Sequence, residues 1–184
     1  MGGVHMTIYI PAWQDGTLKP VEKLEVHKLG LRHKAVSVFV FYQGQLLIQQ
    51  RAMSKYHSPG LWANTCCTHP EWDEDDLACA HRRLEDELGM QDMTLFPAGE
   101  LEYRANVGGN LIEHEVVQTF VALCEQEPSV LPNPDEVMAY RWVDPVTLER
   151  LIATAPDQYT EWLKIYFREH FDALFAKGFR EGVA

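Results

Sequence analysis

The segment from residue 75 to residue 89 constrains the fold most, because it has the pattern of a helix with both ends marked. Apolar residues recur at helical spacing at Leu77, Ala80, Leu84 and Leu88. Acidic residues fill positions 73–76, where the exposed N–H groups and the dipole of a first helical turn favour negative charge. Gly89 follows the last apolar position and is a typical helix end. The segment therefore predicts a helix with one buried face and one charged face.

The sequence NTCCTHP, at positions 64–70, stands directly before this helix. It brings thiols and an imidazole next to a charged surface, so we expect the active site within residues 64–89. Adjacent side chains of a strand point to opposite faces, and period two places Cys67 rather than Cys66 on the face of His69. The other three cysteines are expected to be small core residues. A nucleophilic Cys–His hydrolase is one alternative for Cys67.

Length and composition predict one soluble domain. A chain of 184 residues, 46% of them hydrophobic, can bury a sizeable core. Its apolar runs fall short of the ~18 residues of a membrane span, and its N-terminus lacks the pattern of a signal peptide. The cysteines form no C-x-x-C pair, which favours free thiols in a reducing cytosol. We expect a cytoplasmic protein with an N-terminal extension (1–22) that could form a lid, and a C-terminal helix and tail (160–184).

The net charge of −11 restricts the partners. It argues against nucleic acid and against an anionic membrane surface. It leaves a small phosphorylated substrate open, because a few local cations and a divalent metal can hold an anion on a protein that repels it as a whole. Metal dependence is therefore expected.

Strands and helices alternate in an order that also contains hairpins, which predicts an α+β fold with a mixed sheet. The expected strands lie at 7–13, 35–42, 46–48, 93–104, 111–124 and 137–143, and the expected helices begin near 75, 144 and 160. The last helix is expected to end near 175. His27 and His33 are expected on a loop that leads into a strand.

Glu113 and Glu115 lie two residues apart in a predicted strand, so both side chains emerge on one face while His114 points away. Paired carboxylates repel each other unless a cation lies between them. For an arbitrary Glu-x-Glu, an exposed edge strand is the ordinary interpretation.

Residues 68–90 resemble a degenerate Nudix box. The box pattern is G, five residues, E, seven residues, R, E, an aliphatic residue, any residue, E, E, any residue, G and an aliphatic residue. It is matched at Glu74, Arg82, Leu84, Glu87, Gly89 and Met90, and it is not matched at Thr68, Arg83 and Asp86. Hydrolytic Nudix enzymes bind their metals with the box glutamates, so an arginine at position 83 argues against plain diphosphate hydrolysis.

NTCCTHP together with RRLEDELG resembles the metal-dependent isopentenyl-diphosphate isomerases of the Nudix fold (type 1), over residues 23–167. The resemblance implies a Nudix-like α/β/α sandwich with a mixed sheet. It also implies conversion of isopentenyl diphosphate to dimethylallyl diphosphate through a tertiary carbocation, in isoprenoid biosynthesis. The expected partner is this small prenyl diphosphate, and the expected state is a monomer or weak homodimer.

The same resemblance assigns the residues of the site. It implies proton transfer by Cys67 and Glu115, with Tyr103 supporting the glutamate and Trp162 stabilising the carbocation. The implied ligands of one divalent metal (Mn²⁺, Zn²⁺, Fe²⁺ or Mg²⁺) are His27, His33, His69, Glu113 and Glu115. The diphosphate would be bound by Lys23, Arg51, Lys55 and Arg83, with Mg²⁺ bridging it to Glu87. A Nudix diphosphate hydrolase and a non-catalytic, metal-stabilised module are the alternatives.

Overall fold

The computed structural model describes residues 7–180, whose strands form one mixed sheet centred on β3. The strands are β1 (Tyr9–Gln14), β2 (Thr17–Glu22), β3 (His33–Tyr42), β4 (Gln45–Arg51), β5 (Trp62–Ala63), β6 (Cys66–Thr68), β7 (Phe96–Asn106), β8 (Ile112–Cys124) and β9 (Val137–Val143). Strand β3 pairs in parallel with β8 and antiparallel with β1, β4 and β6. The β7–β8 hairpin extends the sheet beyond β8, and β9 pairs with β4. The predicted mixed sheet and α+β class are confirmed.

Helices cover both faces of this sheet. They are α1 (Lys23–Leu29), α2 (Asp76–Leu88), α3 (Pro145–Thr154), α4 (Glu161–Glu169) and α5 (Phe171–Arg180), with a 3-10 turn at Pro156–Gln158. Helix α2 packs through Leu84 and Leu88 on one face, and α3 to α5 cover the other face around Phe39 and Trp162. The layers are those of an α/β/α sandwich. Within residues 7–180, every helix is too short or too polar to cross a bilayer.

Helix α2 has the boundaries that the sequence predicts. The Asp75 carboxylate accepts hydrogen bonds from the backbone N–H groups of Leu77 and Ala78, so it caps the N-terminus. Gly89 ends the helix at φ 63°, and a Cβ there would lie 2.9 Å from the carbonyl oxygen of Leu131. Leu77, expected on the buried stripe, is 39% exposed in the first turn.

Two polar side chains hold the short strand β6 in place. The Asn64 amide donates to the carbonyl oxygens of Val38 (3.1 Å) and Cys66 (2.8 Å). The Thr65 hydroxyl donates to the carbonyl oxygen of Leu47 (2.6 Å) and accepts from the N–H of Val40 (3.0 Å). These bonds satisfy backbone groups that a three-residue strand cannot reach. The NTCC segment is therefore rigid where it presents Cys67.

Two further local predictions are wrong. His27 lies on α1 rather than on a loop, because Glu22 caps this seven-residue helix and Gly30 ends it at φ 62°. His33 is the first residue of β3. The single helix predicted from 160 to 175 is two helices, separated at His170.

The described part of the N-terminal extension forms the β1–β2 hairpin, which pairs with β3 at Ala12 and His33. Residues 1–6 and 181–184 of the predicted extension and tail lie outside the described residues. The domain boundaries and the lid stay predictions.

Candidate active site

Two strands that flank β3 bring Cys67 and Glu115 to one cleft. Cys67 of β6 pairs with Ser37 of β3, and Glu115 of β8 pairs with His33. His33 and Ser37 are four residues apart, so their side chains share one face of the sheet. The cleft is lined by Lys23, Arg51, Lys55, Tyr56, His57, Cys67, Thr68, His69, Arg83, Glu87, Glu113, Glu115 and Trp162. Three further predicted site residues are buried and contact this lining: His27, His33 and Tyr103.

Three imidazoles converge on one carboxylate oxygen. Glu113 Oε2 lies 3.0 Å from His27 Nε2, 3.3 Å from His33 Nε2 and 3.7 Å from His69 Nε2. Single ligand atoms from these four residues all lie within 4.8 Å of one another. The predicted alternation holds, because Glu113 and Glu115 are each 1% exposed while His114 points to the other side and contacts Glu102.

The donor set fits a divalent cation. His27 Nδ1 donates to the carbonyl oxygen of Lys23 (2.5 Å), and His33 Nδ1 donates to that of Leu31 (2.7 Å). Each ring therefore presents the lone pair of Nε2 to the centre of the group. His27 Nε2 and Glu113 Oε2 are buried without a hydrogen-bond partner. Converging lone pairs and a buried carboxylate are costly unless a cation lies among them.

The Glu115 carboxyl is buried between two hydrogen-bonding side chains. Tyr103 donates a hydrogen bond to its Oε2 (2.5 Å), and His69 Nε2 lies 2.9 Å from its Oε1. Burial, together with the neighbouring Glu113 charge, raises the pKa of Glu115 well above its usual range. A buried carboxyl with a raised pKa can take part in proton transfer.

The Cys67 thiol sits against two buried hydroxyls. Ser37 Oγ donates to Cys67 Sγ (3.3 Å) and is hydrogen-bonded to the Tyr166 hydroxyl (2.7 Å). Burial raises the pKa of the Cys67 thiol, and the Glu115 charge raises it further. Cys66 points to the opposite face, into the core beneath α2. Sequence reasoning missed Ser37 and Tyr166; the only signal was one polar residue inside the apolar run of β3.

Cations gather at the outer part of the cleft. Lys55 forms an ion pair with Glu136, and Arg83 contacts Glu87 (2.6 Å) and Glu136 (3.3 Å). Burial lowers the pKa of the Lys23 ammonium, and the positive charges of Lys55 and Arg83 lower it further. This part of an acidic chain is thus locally cationic and suited to an anion. Glu136 was missed, because it follows an irregular proline-rich connection that carries no pattern.

Two matched residues of the box hold the loop that carries His69. Arg82 donates from Nε (2.6 Å) and Nη2 (2.7 Å) to the two oxygens of Glu74. Glu74 Oε2 also accepts from the backbone N–H of Glu71 (2.8 Å). A bidentate pair of this kind fixes direction as well as distance. Loop 69–75 is therefore tied to α2.

His57 is a further residue that sequence reasoning missed. Its Nε2 lies 3.3 Å from Glu113 Oε1, and its ring lies edge-on to Trp162 with centroids 5.8 Å apart. The Arg51 guanidinium lies 5.2 Å from the Trp162 ring centre. Trp162 is therefore both a core residue and part of the wall of the cleft.

Comparison with known proteins defines the class first. Residues 31–163 match the family model described as the NUDIX domain. A crystallised protein of Deinococcus radiodurans has a similar fold, with a TM-score of 0.69, 15% identity and coverage of 87% of this chain and 97% of that one. The dihydroneopterin triphosphate pyrophosphohydrolase of E. coli is also similar, with a TM-score of 0.57, 16% identity and coverage of 78% and 95%. The predicted Nudix fold is confirmed.

Relatives with curated names are much closer in sequence. The isopentenyl-diphosphate Delta-isomerase of Roseobacter denitrificans is 59% identical over 172 residues, which are 94% of this chain and 98% of that protein. The protein of the same name from a Jannaschia species is 54% identical over 170 residues, which are 92% and 97%. Within the Nudix class, this chain belongs to the family of the isopentenyl-diphosphate Delta-isomerases.

Proposed function

We propose that the chain isomerises isopentenyl diphosphate to dimethylallyl diphosphate by proton transfer at Cys67 and Glu115. The observation that carries the mechanism is the placement of these two groups on strands to either side of β3, in one cleft whose outer part is cationic. The reaction moves a double bond by one position. A hydrocarbon between two such groups can be protonated at one carbon and deprotonated at another.

The isomerisation needs one group that donates a proton and one group that removes a proton, and it needs no oxidant or reductant. One group donates a proton to the terminal alkene carbon, whose π electrons form the new C–H bond and leave a tertiary carbocation. The other group removes a proton from the carbon next to the cation, and that C–H pair becomes the internal double bond. Tyr103 holds the Glu115 carboxyl through its hydrogen bond. Each positioned acid or base contributes about 10²- to 10⁴-fold.

His27, His33, His69 and Glu113 would hold a divalent ion, Mn²⁺, Zn²⁺ or Mg²⁺, with Glu115 as a further ligand. Three neutral imidazoles and two carboxylates balance its charge. When bound, the ion supplies positive charge that holds Glu115 and tunes its proton affinity.

Lys23, Arg51, Lys55 and Arg83 would bind the diphosphate, and Glu87 would hold the Mg²⁺ that accompanies it. Gln49 supports this arrangement, since its amide donates to Glu87 Oε2 (2.7 Å). The proposed oligomeric state is a monomer or weak homodimer. A substrate held by a local cation cluster also agrees with a net charge that disfavours nucleic acid.

Trp162→Leu is expected to lower kcat about 30-fold, because a desolvated cation over an indole face gains about 2 kcal/mol. Trp162→Phe keeps an aromatic face and is expected to lose less. Trp142→Leu, in β9 and outside the lining of the cleft, is the matched control and should leave kcat unchanged. Steady-state kinetics check this. Equal losses in the leucine and phenylalanine variants would reduce Trp162 to a packing role.

Product analysis tests the proposed function. Incubation with isopentenyl diphosphate and Mg²⁺ should form dimethylallyl diphosphate without phosphate release, as followed by NMR. Release of phosphate or of a monophosphate would identify a Nudix hydrolase instead. Tight metal binding without turnover of any diphosphate would identify a non-catalytic, metal-stabilised module.

A further inference from the structure

A fourth histidine, His57, contacts the proposed metal centre from outside the set of ligands. Its Nε2 lies 3.3 Å from Glu113 Oε1, the carboxylate oxygen that does not face His27, His33 and His69. The side chain is buried, with 7% of the residue exposed. The three imidazoles of the metal group lie nearest to Oε2, which leaves Oε1 available to another partner.

Three contacts hold His57 in place, two to its ring and one to its backbone. Ser58 Oγ lies 3.4 Å from Nδ1, so its hydroxyl can donate there and keep the ring proton on Nε2, opposite Glu113. Arg51 Nη2 donates to the carbonyl oxygen of His57 (3.2 Å). Trp162 packs edge-on against the ring.

We infer that His57 is a positioning residue of the metal site, donating from Nε2 to Glu113 Oε1 so that Oε2 alone binds the metal. The inference rests on the proposed metal site. A ligand carboxylate that is free to rotate can bind through either oxygen or turn away, and an outer hydrogen bond removes that freedom. Loss of such an outer contact typically weakens metal binding 10- to 100-fold.

The same placement joins two parts of the cleft. His57 lies on the loop after β4 that also carries Lys55, and Arg51 at the end of β4 holds its backbone. The ring touches the indole that would face the carbocation and the carboxylate that would hold the metal. A change at position 57 therefore acts through Glu113 and Trp162 rather than on the reacting atoms.

Metal affinity tests the inference without using activity. The affinity of the metal-free chain for Mn²⁺ and Zn²⁺ is measured by competition with a chromophoric chelator. His57→Phe keeps a ring against Trp162 and removes the donor, so we expect affinity to fall about 10- to 100-fold. His57→Gln restores an N–H donor and should recover most of the loss. His81→Phe, on α2 and outside the lining of the cleft, is the matched control and should bind as the unaltered chain does.

A second variant keeps the inference testable if His57→Phe does not fold. Ser58 has φ 48°, a conformation that glycine adopts without strain, so Ser58→Gly removes the hydroxymethyl side chain next to Nδ1 without straining the backbone. A smaller loss of affinity in the same direction is expected. The melting temperatures of the metal-free variants should match that of the unaltered chain.

Three results separate the possibilities. Unchanged affinity in both His57→Phe and Ser58→Gly overturns the inference while leaving the metal site and the isomerase intact. Loss that His57→Gln does not rescue, with a changed visible spectrum of the Co²⁺ form, makes His57 a direct ligand and also overturns it. An unaltered chain that binds no metal removes the proposed metal site itself.

Discussion

Cys67→Ala is expected to lower kcat for isopentenyl diphosphate by about 10²- to 10⁴-fold, because it removes one of the two groups that we propose exchange protons with the substrate. KM should change little, since the proposed diphosphate-binding residues, Lys55, Arg51 and the other cations of the lining, are unaltered. The change removes one sulfur beside Ser37, so the metal ligands keep their places. Steady-state kinetics with the metal-loaded protein measure both parameters.

Cys124→Ala is the matched control for this experiment. Cys124 ends β8, is partly exposed and lies outside the lining of the cleft, so its loss should leave kcat unchanged. Metal content and melting temperature should be the same in both variants. A Cys67→Ala protein with nearly full activity would refute the proton-transfer role and favour chemistry that depends on the metal alone.

Metal removal is expected to abolish activity and to lower the melting temperature. At free metal near 1,000 times Kd, binding stabilises the folded state by roughly 4 kcal/mol. A chain of this size shifts by about 2–4 °C per kcal/mol, so the expected change is roughly 8–16 °C. The physical reason is the buried group of His27, His33, His69 and Glu113, whose lone pairs face each other when no cation is present. Calorimetry with and without a chelator measures the shift.

Cys67→Ala and Glu113→Gln separate the effect of the metal on stability from its effect on activity. Cys67→Ala should keep the full metal-dependent gain in melting temperature although its kcat is strongly lowered. Glu113→Gln should lose most of that gain, because it removes the carboxylate on which the imidazoles converge. Full activity after complete chelation, with no change in melting temperature, would contradict the proposed centre.

Sequence periodicity predicted the parts of the site that lie on regular elements. Alternation along β8 was enough to place Glu113 and Glu115 on one face, and period two separated Cys67 from Cys66. Alternation did not predict that this face is buried, since an exposed edge strand is the ordinary interpretation of such a pair. The acidic first turn and Gly89 also marked the ends of α2. Capping depends on residues next to one another in sequence, so the sequence alone shows it.

Other residues of the site depend on tertiary contacts that have no local pattern. Helix α1 is seven residues long and is capped by Glu22, a residue type that rarely signals a helix start, so His27 was assigned to a loop. His57 and Glu136 reach the cleft from irregular segments, where side-chain direction follows from packing rather than from spacing. The divided C-terminal helix at His170 carried no proline or glycine to mark it.

The most direct test of the central claim is isomerisation of isopentenyl diphosphate in D₂O, with the product examined by NMR. Protons of the Cys67 and Glu115 groups exchange with solvent, so a proton delivered by either is a deuteron under these conditions. The account predicts dimethylallyl diphosphate with about one deuterium for each molecule formed, in the methyl group made from the terminal alkene carbon. A full yield of product that contains no solvent deuterium would mean that hydrogen moves within the substrate. That result would contradict proton transfer through Cys67 and Glu115.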